Sequence, residues 1–105
     1  MIVEVADFRV APEKRAEFQS AMTGAARRLL SQTKGYLGHE ILSCVESPDR
    51  VLLLVRWQTL EDHTVGFRQS PAFTEWRAAI GPYFAQPPQV EHFTATSAGQ
   101  ESNPA

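Results

Sequence analysis

The chain has 105 residues, of which 43% are hydrophobic and 21% charged, and its formal net charge at pH 7 is −2. These values are typical of a single globular domain. A slightly acidic chain offers no basic surface for nucleic acid, and no apolar run approaches the roughly 20 residues of a membrane helix. The single cysteine excludes an intrachain disulfide. The first residues, MIVEVADF, lack the basic region of a signal peptide, so we expect a cytoplasmic protein.

The first third of the chain predicts a strand followed by one long helix. Residues 2–9 are rich in β-forming side chains that alternate imperfectly with polar ones, which is typical of a strand. Pro12 suits the first turn of a helix, and apolar side chains then recur at helical spacing over about residues 12–33. Gly35 marks the end of this helix.

A hairpin is predicted next. Residues 36–45 and 50–57 are rich in β-formers, and the segment ESPD between them carries good turn residues. The second of these strands is almost uniformly apolar at residues 51–55, so we expect it to be buried on both faces.

A broken helix follows the hairpin. We expect Thr59 to cap a helix that begins at Leu60. Ser70 and Pro71 then restart the chain as a cap and a first-turn proline, and Gly81 ends the second helix.

This order of elements fits an α+β fold with the ferredoxin-like β-α-β-β-α-β plan, in which helices cover one face of an antiparallel sheet. The last strand is predicted within residues 87–96, from about Val90. We expect one domain at residues 1–96 and a frayed polar tail at residues 97–105. Apolar side chains fall on both faces of the predicted strands. A homodimer that packs sheet against sheet is the simplest way to cover the outer face.

With these elements in this order, the chain resembles the antibiotic biosynthesis monooxygenase family of dimeric α/β barrels. The resemblance covers nearly all of residues 1–94 and rests on the segments GYLGHEI, VRWQTLEDH, FRQSPAFTEWR and PPQVEHF. It implies a pocket between sheet and helices in each subunit of a dimeric barrel. Members of the family include cofactor-free oxygenases of polyketide quinol-like substrates, small quinol oxygenases and haem-degrading enzymes.

Similarity to the polyketide-oxidising members implies three catalytic residues. Trp57 matches their Trp at the end of the third strand, His63 matches a Tyr or His six residues later, and Arg77 matches an Arg of the last helix. Leu53 departs from the pattern, because those members carry an Asn four residues before the Trp. This departure favours the alternative of a non-oxidative member of the fold, such as an isomerase, a cyclase or a small-molecule-binding protein.

Haem degradation fits the sequence less well. That branch of the family places an iron-ligating His where this chain has Arg77, and a guanidinium has no lone pair to give iron. The Trp that distorts haem in that branch corresponds to Phe67, and an Asn near the first strand is missing from this chain. The His residues are scattered without ligand spacing, so we expect neither a cofactor nor a metal.

The function that the resemblance implies is cofactor-independent oxidation of a phenolic or quinol substrate to a quinone, with a small aromatic substrate and O2 as partners. A deprotonated phenol reacts with O2 once it is bound and shielded from water. We expect His63 to act as base, Arg77 to bind the phenolate or a carbonyl oxygen, and Trp57 to donate its N–H to the substrate. Five other side chains are candidate substrate-binding residues, namely Phe67, Phe73, Trp76, Tyr83 and His39.

Each of these residues also has an ordinary structural interpretation. Trp57 and Trp76 fit a core, and His63 fits a solvated helix surface. His92, in the last strand, is interpreted as structural or interfacial, and Cys44 as buried and unreactive.

Overall fold

A computed structural model describes residues 1–99 and shows helices covering one face of a four-stranded antiparallel sheet. The strands lie in the spatial order β2-β3-β1-β4, which confirms the predicted α+β ferredoxin-like plan. The sheet is open and does not close on itself. Its main elements are β1 (Ile2–Arg9), α1 (Arg15–Ala25), β2 (Tyr36–Ser43), β3 (Arg50–Trp57), α2 (Pro71–Ile80) and β4 (Gln89–Phe93).

Strand alternation decides which side chains face the helices. In β1 the even-numbered residues Glu4, Ala6 and Phe8 are buried beneath the helix layer. We predicted that β3 is buried on both faces, but only its helix-facing side is fully buried. Val51, Leu53, Val55 and Trp57 are buried, whereas the residues between them are half-buried on the outer face. The sheet therefore has one dry face and one partly apolar face towards the outside.

The core lies between the dry face of the sheet and the two helices. Burying a side chain of this size stabilises the fold by roughly 1.5–3 kcal/mol relative to leaving it exposed. The largest fully buried side chains include Trp57, Phe18, Met22, Leu30, Leu53 and Ile80.

The first helical segment is less regular than the predicted helix over residues 12–33. A 3₁₀ turn at Pro12–Lys14 precedes α1, and a π-helical turn at Ala26–Leu30 ends the segment three residues early. In that turn the Ser31 N–H donates to the Ala26 carbonyl, at 2.9 Å, so the hydrogen bond spans five residues. No helix within residues 1–99 is long and apolar enough to cross a membrane.

The second helical segment is broken where the sequence predicts it. The Asp62 N–H donates to the Thr59 hydroxyl while Asp62 Oδ2 accepts from the Thr59 N–H, both at 3.2 Å, which is a reciprocal cap. A π-helix at Asp62–Phe67 follows, and Ser70 then caps α2 by accepting from the Phe73 N–H. The predicted cap residues are confirmed, whereas the π-helical geometry was not predicted.

The last strand is shorter than predicted. β4 ends at Phe93, and the residues that follow, up to residue 99, are exposed and form no strand. Residues 100–105 of the predicted tail lie outside the described residues. The boundary between domain and tail stays a prediction.

Gly35 has a backbone conformation and a close neighbour that only glycine accommodates well. Its φ is 86°, in the left-handed region that side chains disfavour. A Cβ added there would collide with the Asp62 carboxyl and would lie 2.6 Å from the Asp62 Cβ. Gly35 therefore allows the capped turn that starts at Thr59 to pack closely against the exit of the first helical segment.

We expect Gly35→Ala to lower the free energy of unfolding by roughly 1–3 kcal/mol, because it adds backbone strain and displaces Asp62. Urea denaturation measures the change. Gly81→Ala is the matched control, since φ there is −55° and no heavy atom lies within 4 Å of the added Cβ. Equal denaturation midpoints for the two variants would contradict the steric argument.

Candidate functional site

A cavity of about 200 Å³ lies between the dry face of the sheet and the helices. Its wall is mainly apolar, with polar groups at only a few points. The lining residues are Glu4, Ala6, Phe8, Leu30, Leu53, His63, Phe67, Arg68, Phe73, Trp76, Arg77, Ile80, Phe84, Pro88 and Val90. Ligand sites in proteins commonly have this character, apolar with a few placed polar groups.

Glu4 is the polar centre of the site. It occupies a helix-facing position of β1 and is only 6% exposed. Trp57 lies diagonally across from it on β3, since the direct partner of Glu4 in that strand is Val55. The Trp57 indole N–H donates to Glu4 Oε1 at 2.9 Å. A buried carboxyl needs such a donor, because leaving a buried polar group without a partner costs free energy.

His63 completes the arrangement from the helical side. Its ring stacks on Trp57 with centroids 5.3 Å apart and an interplanar angle of 16°. Its Nε2 lies 3.3 Å from Glu4 Oε1. The π-helix at Asp62–Phe67 buries both His63 and Phe67, so this wide turn directs the imidazole towards the sheet.

His92 extends the cluster towards the protein surface. It is the direct cross-strand partner of Glu4 in β4, so both side chains project from the same face of the sheet. Its Nε2 lies 2.7 Å from His63 Nδ1. His92 is half-buried, whereas Glu4 and His63 are buried.

Burial shifts the pKa of each of these three groups towards the neutral form. The pKa of Glu4 rises from 4.5 to about 7, although the Trp57 hydrogen bond and the charge of Arg68 oppose the rise. The pKa of His63 falls from 6.5 to about 3 because of burial, Arg68 and His92. The pKa of His92 is also lowered, by burial and by Arg68. At neutral pH the imidazoles are uncharged and Glu4 is the titrating group.

Two arginines lie at the open side of the cavity. Arg68 and Arg77 both line the cavity and both are exposed. The Arg77 guanidinium carbon is 6.0 Å from the centroid of the Phe73 ring, within range of a cation–π contact. A ligand in the cavity would therefore lie beside both a carboxyl and cations.

The structure brings most of the predicted site residues together. Five of them line the same cavity, namely His63, Phe67, Phe73, Trp76 and Arg77. Leu53, the predicted departure from the pattern of the polyketide-oxidising members, also lines it and is 2% exposed.

Three predicted residues lie outside this lining. Trp57 is fully buried behind the cavity wall and gives its N–H to Glu4, so its donor is already engaged. Tyr83 packs beside Phe18, with ring centroids 5.9 Å apart. The His39 Nδ1 lies 2.5 Å from the Tyr36 hydroxyl in β2, away from the cavity.

Glu4 and the hydrogen bond between His63 and His92 were not predicted from the sequence. A signal for Glu4 was present, because a charged residue occupied the inward position of an alternating strand, in phase with Ala6 and Phe8. The contact between His63 and His92 had no local signal, because it joins residues 29 positions apart.

No group of three His, Cys, Asp or Glu side chains within residues 1–99 is arranged to hold a metal ion. The geometry of the cluster explains why it does not form such a site. The two ring nitrogens of His63 point in different directions, one to Glu4 and the other to His92, so the three groups share no common coordination point.

The fold agrees with comparisons to known proteins. The family model described as antibiotic biosynthesis monooxygenase matches residues 1–79. The chain belongs to this family. It is 41% identical over 93 residues to the uncharacterized protein YczJ of Bacillus subtilis (strain 168), covering 89% of this chain and 97% of YczJ.

Solved structures share the fold. A crystal structure of a putative antibiotic biosynthesis monooxygenase from Bordetella bronchiseptica is 36% identical, with a TM-score of 0.86. The match covers 91% of this chain and 97% of that one. A mutant form of SnoaB, a cofactor-independent oxygenase from Streptomyces nogalater, is 20% identical with a TM-score of 0.77, covering 95% and 97% of the two chains. At that identity the likeness shows the fold alone.

We expect Glu4→Gln to change how stability depends on pH. The folded protein binds the Glu4 proton more tightly than the unfolded chain, so the contribution of Glu4 is fully present below pH 4.5 and is lost as pH rises to about 7. The free energy of unfolding of the wild type should therefore fall relative to Glu4→Gln by about 3 kcal/mol across this range. His63 acts in the opposite sense in both proteins and cancels in the difference.

Urea denaturation at pH 4.5, 6, 7 and 8 measures this difference. The exposed Glu13 provides a matched control, because Glu13→Gln removes a carboxyl that is not buried. A constant offset between the wild type and Glu4→Gln at every pH would show that burial does not hold Glu4 protonated.

Proposed function

We propose that this protein is a cofactor-independent monooxygenase that oxidises a phenolic or quinol substrate to a quinone with O2. The single observation that carries the proposal is a buried carboxyl, Glu4, with its pKa raised to about 7 beside an aromatic-walled cavity. A general base works best when its pKa lies near the operating pH. Membership of the antibiotic biosynthesis monooxygenase family supports the reaction class.

Glu4 has an oxygen available for this role. Oε1 accepts from Trp57, whereas Oε2 has no hydrogen-bond partner among residues 1–99 and is not sealed from the cavity that Glu4 lines. A phenolic hydroxyl placed against Oε2 would transfer its proton there. The indole N–H keeps the carboxyl oriented during that transfer.

Glu4 replaces His63 as the proposed base. His63 has a pKa of about 3, so its ring is too weak a base to hold a phenolic proton at neutral pH. Its stacking on Trp57 and its contact with Glu4 fit a positioning role instead.

The balance of the reaction needs no added reductant. For a phenol, one atom of O2 becomes the second quinone oxygen and the other leaves as water. Both hydrogens of that water come from the substrate, one from its hydroxyl and one from the ring carbon that is oxidised. Glu4 would accept the first proton and return it to the departing oxygen, while the apolar wall excludes bulk water.

Cavity size limits the substrate. An apolar cavity of about 150 Å³ is enough to hold benzene. A volume of about 200 Å³ therefore suits a molecule of one or two aromatic rings, and a larger ring system would extend through the open side. There Arg68 and Arg77 would bind a carbonyl oxygen, a phenolate or a carboxylate of the substrate.

A non-oxidative isomerase, cyclase or binding protein is the second candidate. Leu53 supports it, because an apolar side chain lines the cavity where the oxygenases of the family carry an amide. A carboxyl with a near-neutral pKa could also move a proton between two carbons without O2. Haem degradation is disfavoured, because Arg77 stands at the position of the iron-ligating His and cannot bind iron.

Oxygen uptake distinguishes these candidates. We expect chelator-treated protein to consume O2 with one-ring and two-ring phenols or hydroquinones faster than the uncatalysed control, and more slowly with a three-ring anthrone. Loss of the base in Glu4→Gln should lower kcat about 100-fold, whereas Glu13→Gln should leave it unchanged. An oxygen electrode and product absorbance give both rates.

Arg77→Ala should raise KM for a substrate that carries a carboxylate, with Arg27→Ala as the exposed control. Uptake equal to the uncatalysed rate with every substrate would refute the oxygenase and favour the non-oxidative candidate.

We also propose that the protein is a homodimer paired through the outer face of the sheet. On this face Val3, Val5, Leu52 and Leu54 are half-buried in one protomer, and the neighbouring Phe93 is 49% exposed. A second copy that packs sheet against sheet would remove this apolar area from water.

Leu54→Glu should convert the dimer to a monomer, because it would place a carboxylate in the apolar centre of the paired faces. Val65→Glu is the control, since Val65 is 49% exposed in the π-helix on the other side of the molecule. Sedimentation velocity gives the mass of each variant. A wild-type protein that sediments as a monomer at micromolar concentration would exclude this dimer.

A further inference from the structure

The cluster beside the cavity forms a chain of close polar contacts that leads outwards, in which His63 and His92 are hydrogen-bonded and His63 contacts Glu4. Glu4 Oε1 is 3.3 Å from His63 Nε2, and His63 Nδ1 is 2.7 Å from His92 Nε2. Glu4 borders the cavity, His63 is 3% exposed, and His92 is half-buried in β4. The three side chains therefore lead from the interior of the site towards solvent.

A hydrogen bond at each of these two contacts needs one proton, and with both rings neutral the protons have only two consistent arrangements. When Glu4 is ionised, His63 donates from Nε2 to Glu4 and accepts at Nδ1 from His92 Nε2. When Glu4 carries a proton on Oε1, it donates to His63 Nε2, and His63 Nδ1 donates to His92 Nε2. Both histidines are neutral in both arrangements, and only their tautomers differ.

We propose that Glu4, His63 and His92 form a proton relay that reverses its hydrogen bonds when Glu4 changes its protonation state. To protonate Glu4, a proton from water enters at His92 Nδ1, a second leaves His92 Nε2 for His63 Nδ1, and a third leaves His63 Nε2 for Glu4 Oε1. The reverse sequence releases one proton to solvent. One proton thus enters or leaves the protein, and no ring keeps a net charge.

The surroundings of the carboxyl favour Oε1 as the site of this proton. A proton on Oε1 has an acceptor in place at His63 Nε2, whereas Oε2 faces a mainly apolar cavity. Trp57 donates to Oε1 in both arrangements and so holds the carboxyl in one orientation.

Burial, with the neighbouring charge of Arg68, keeps the rings neutral. Arg68 acts on all three groups and disfavours an imidazolium at either histidine. Arg77, on α2, is the other charged side chain among the residues that line the cavity. Because no stable imidazolium forms, the two histidines transfer the proton and do not retain it.

The relay has a use in the proposed reaction, and that part of the inference rests on the proposed function. A bound substrate fills the cavity and blocks the route from Glu4 to the open side. His92 then offers a separate exchange path with solvent, so a carboxyl that is still protonated when substrate binds can lose that proton before it acts as a base.

The hydrogen-bond switch is tested on the free protein, without substrate or turnover. Imidazole ¹⁵N shifts identify the tautomer of each ring, and the side-chain carboxyl ¹³C shift reports the ionisation of Glu4. Between pH 5 and 9 we expect His63 and His92 to change from the Nδ1–H to the Nε2–H tautomer together, at the midpoint of Glu4. Glu4→Gln should hold each ring in one tautomer throughout, whereas His39→Gln should leave the switch intact, because His39 is bonded to Tyr36.

Titration of Glu4 without a tautomer change at the histidines would place its proton on Oε2 and overturn the relay. Conversion of either ring to imidazolium at that midpoint would overturn it as well. This result is independent of whether the protein consumes O2.

A second test applies once turnover is measured. His92→Ala should lower kcat about tenfold with KM unchanged, and added imidazole should restore the rate, which a purely structural role would not allow. An unchanged kcat would remove the relay from catalysis.

Discussion

The burial of one carboxyl beneath the helix layer is the constraint on which the site depends. Glu4 sits at a position that strand alternation would otherwise give to an apolar side chain. The cost of burying this carboxyl is offset by the hydrogen bond from the Trp57 N–H. It is also offset by protonation of the carboxyl, which the raised pKa favours. The surrounding groups are explained by this need. Trp57 is held as a donor, and His63 is held by stacking on Trp57 and by contact with the same oxygen.

The fold supplies these contacts through two geometric features. The antiparallel register sets Glu4 directly opposite His92 in one neighbouring strand and diagonal to Trp57 in the other, so three strands meet at one point. The π-helix supplies the fourth group, His63, from above the sheet. Wide helical turns of this kind occur frequently at functional sites, because they redirect side chains that a regular helix would place elsewhere.

Local patterns in the sequence predicted the fold and part of the site. Alternation, helical spacing and caps such as Ser70 are properties of neighbouring residues, so they gave the strands, the broken helix and the ferredoxin-like order. Family resemblance led to His63 and Arg77, which line the cavity. Glu4 was not predicted because a single charged residue in a short strand is usually assigned to the solvent-facing side. The direction of the Trp57 N–H and the partner of His63 depend on three-dimensional register, which spacing along the chain does not encode.

The indole that anchors Glu4 also makes the site visible to spectroscopy. Trp57 is one of two tryptophans in the chain, and it is fully buried, stacked on an imidazole and hydrogen-bonded to an acid that titrates near neutrality. Its excited state is therefore exposed to a local electric field that changes when Glu4, its hydrogen-bond acceptor, gains or loses a proton. Intrinsic fluorescence of the unlabelled protein can thus report the protonation state of Glu4 in real time.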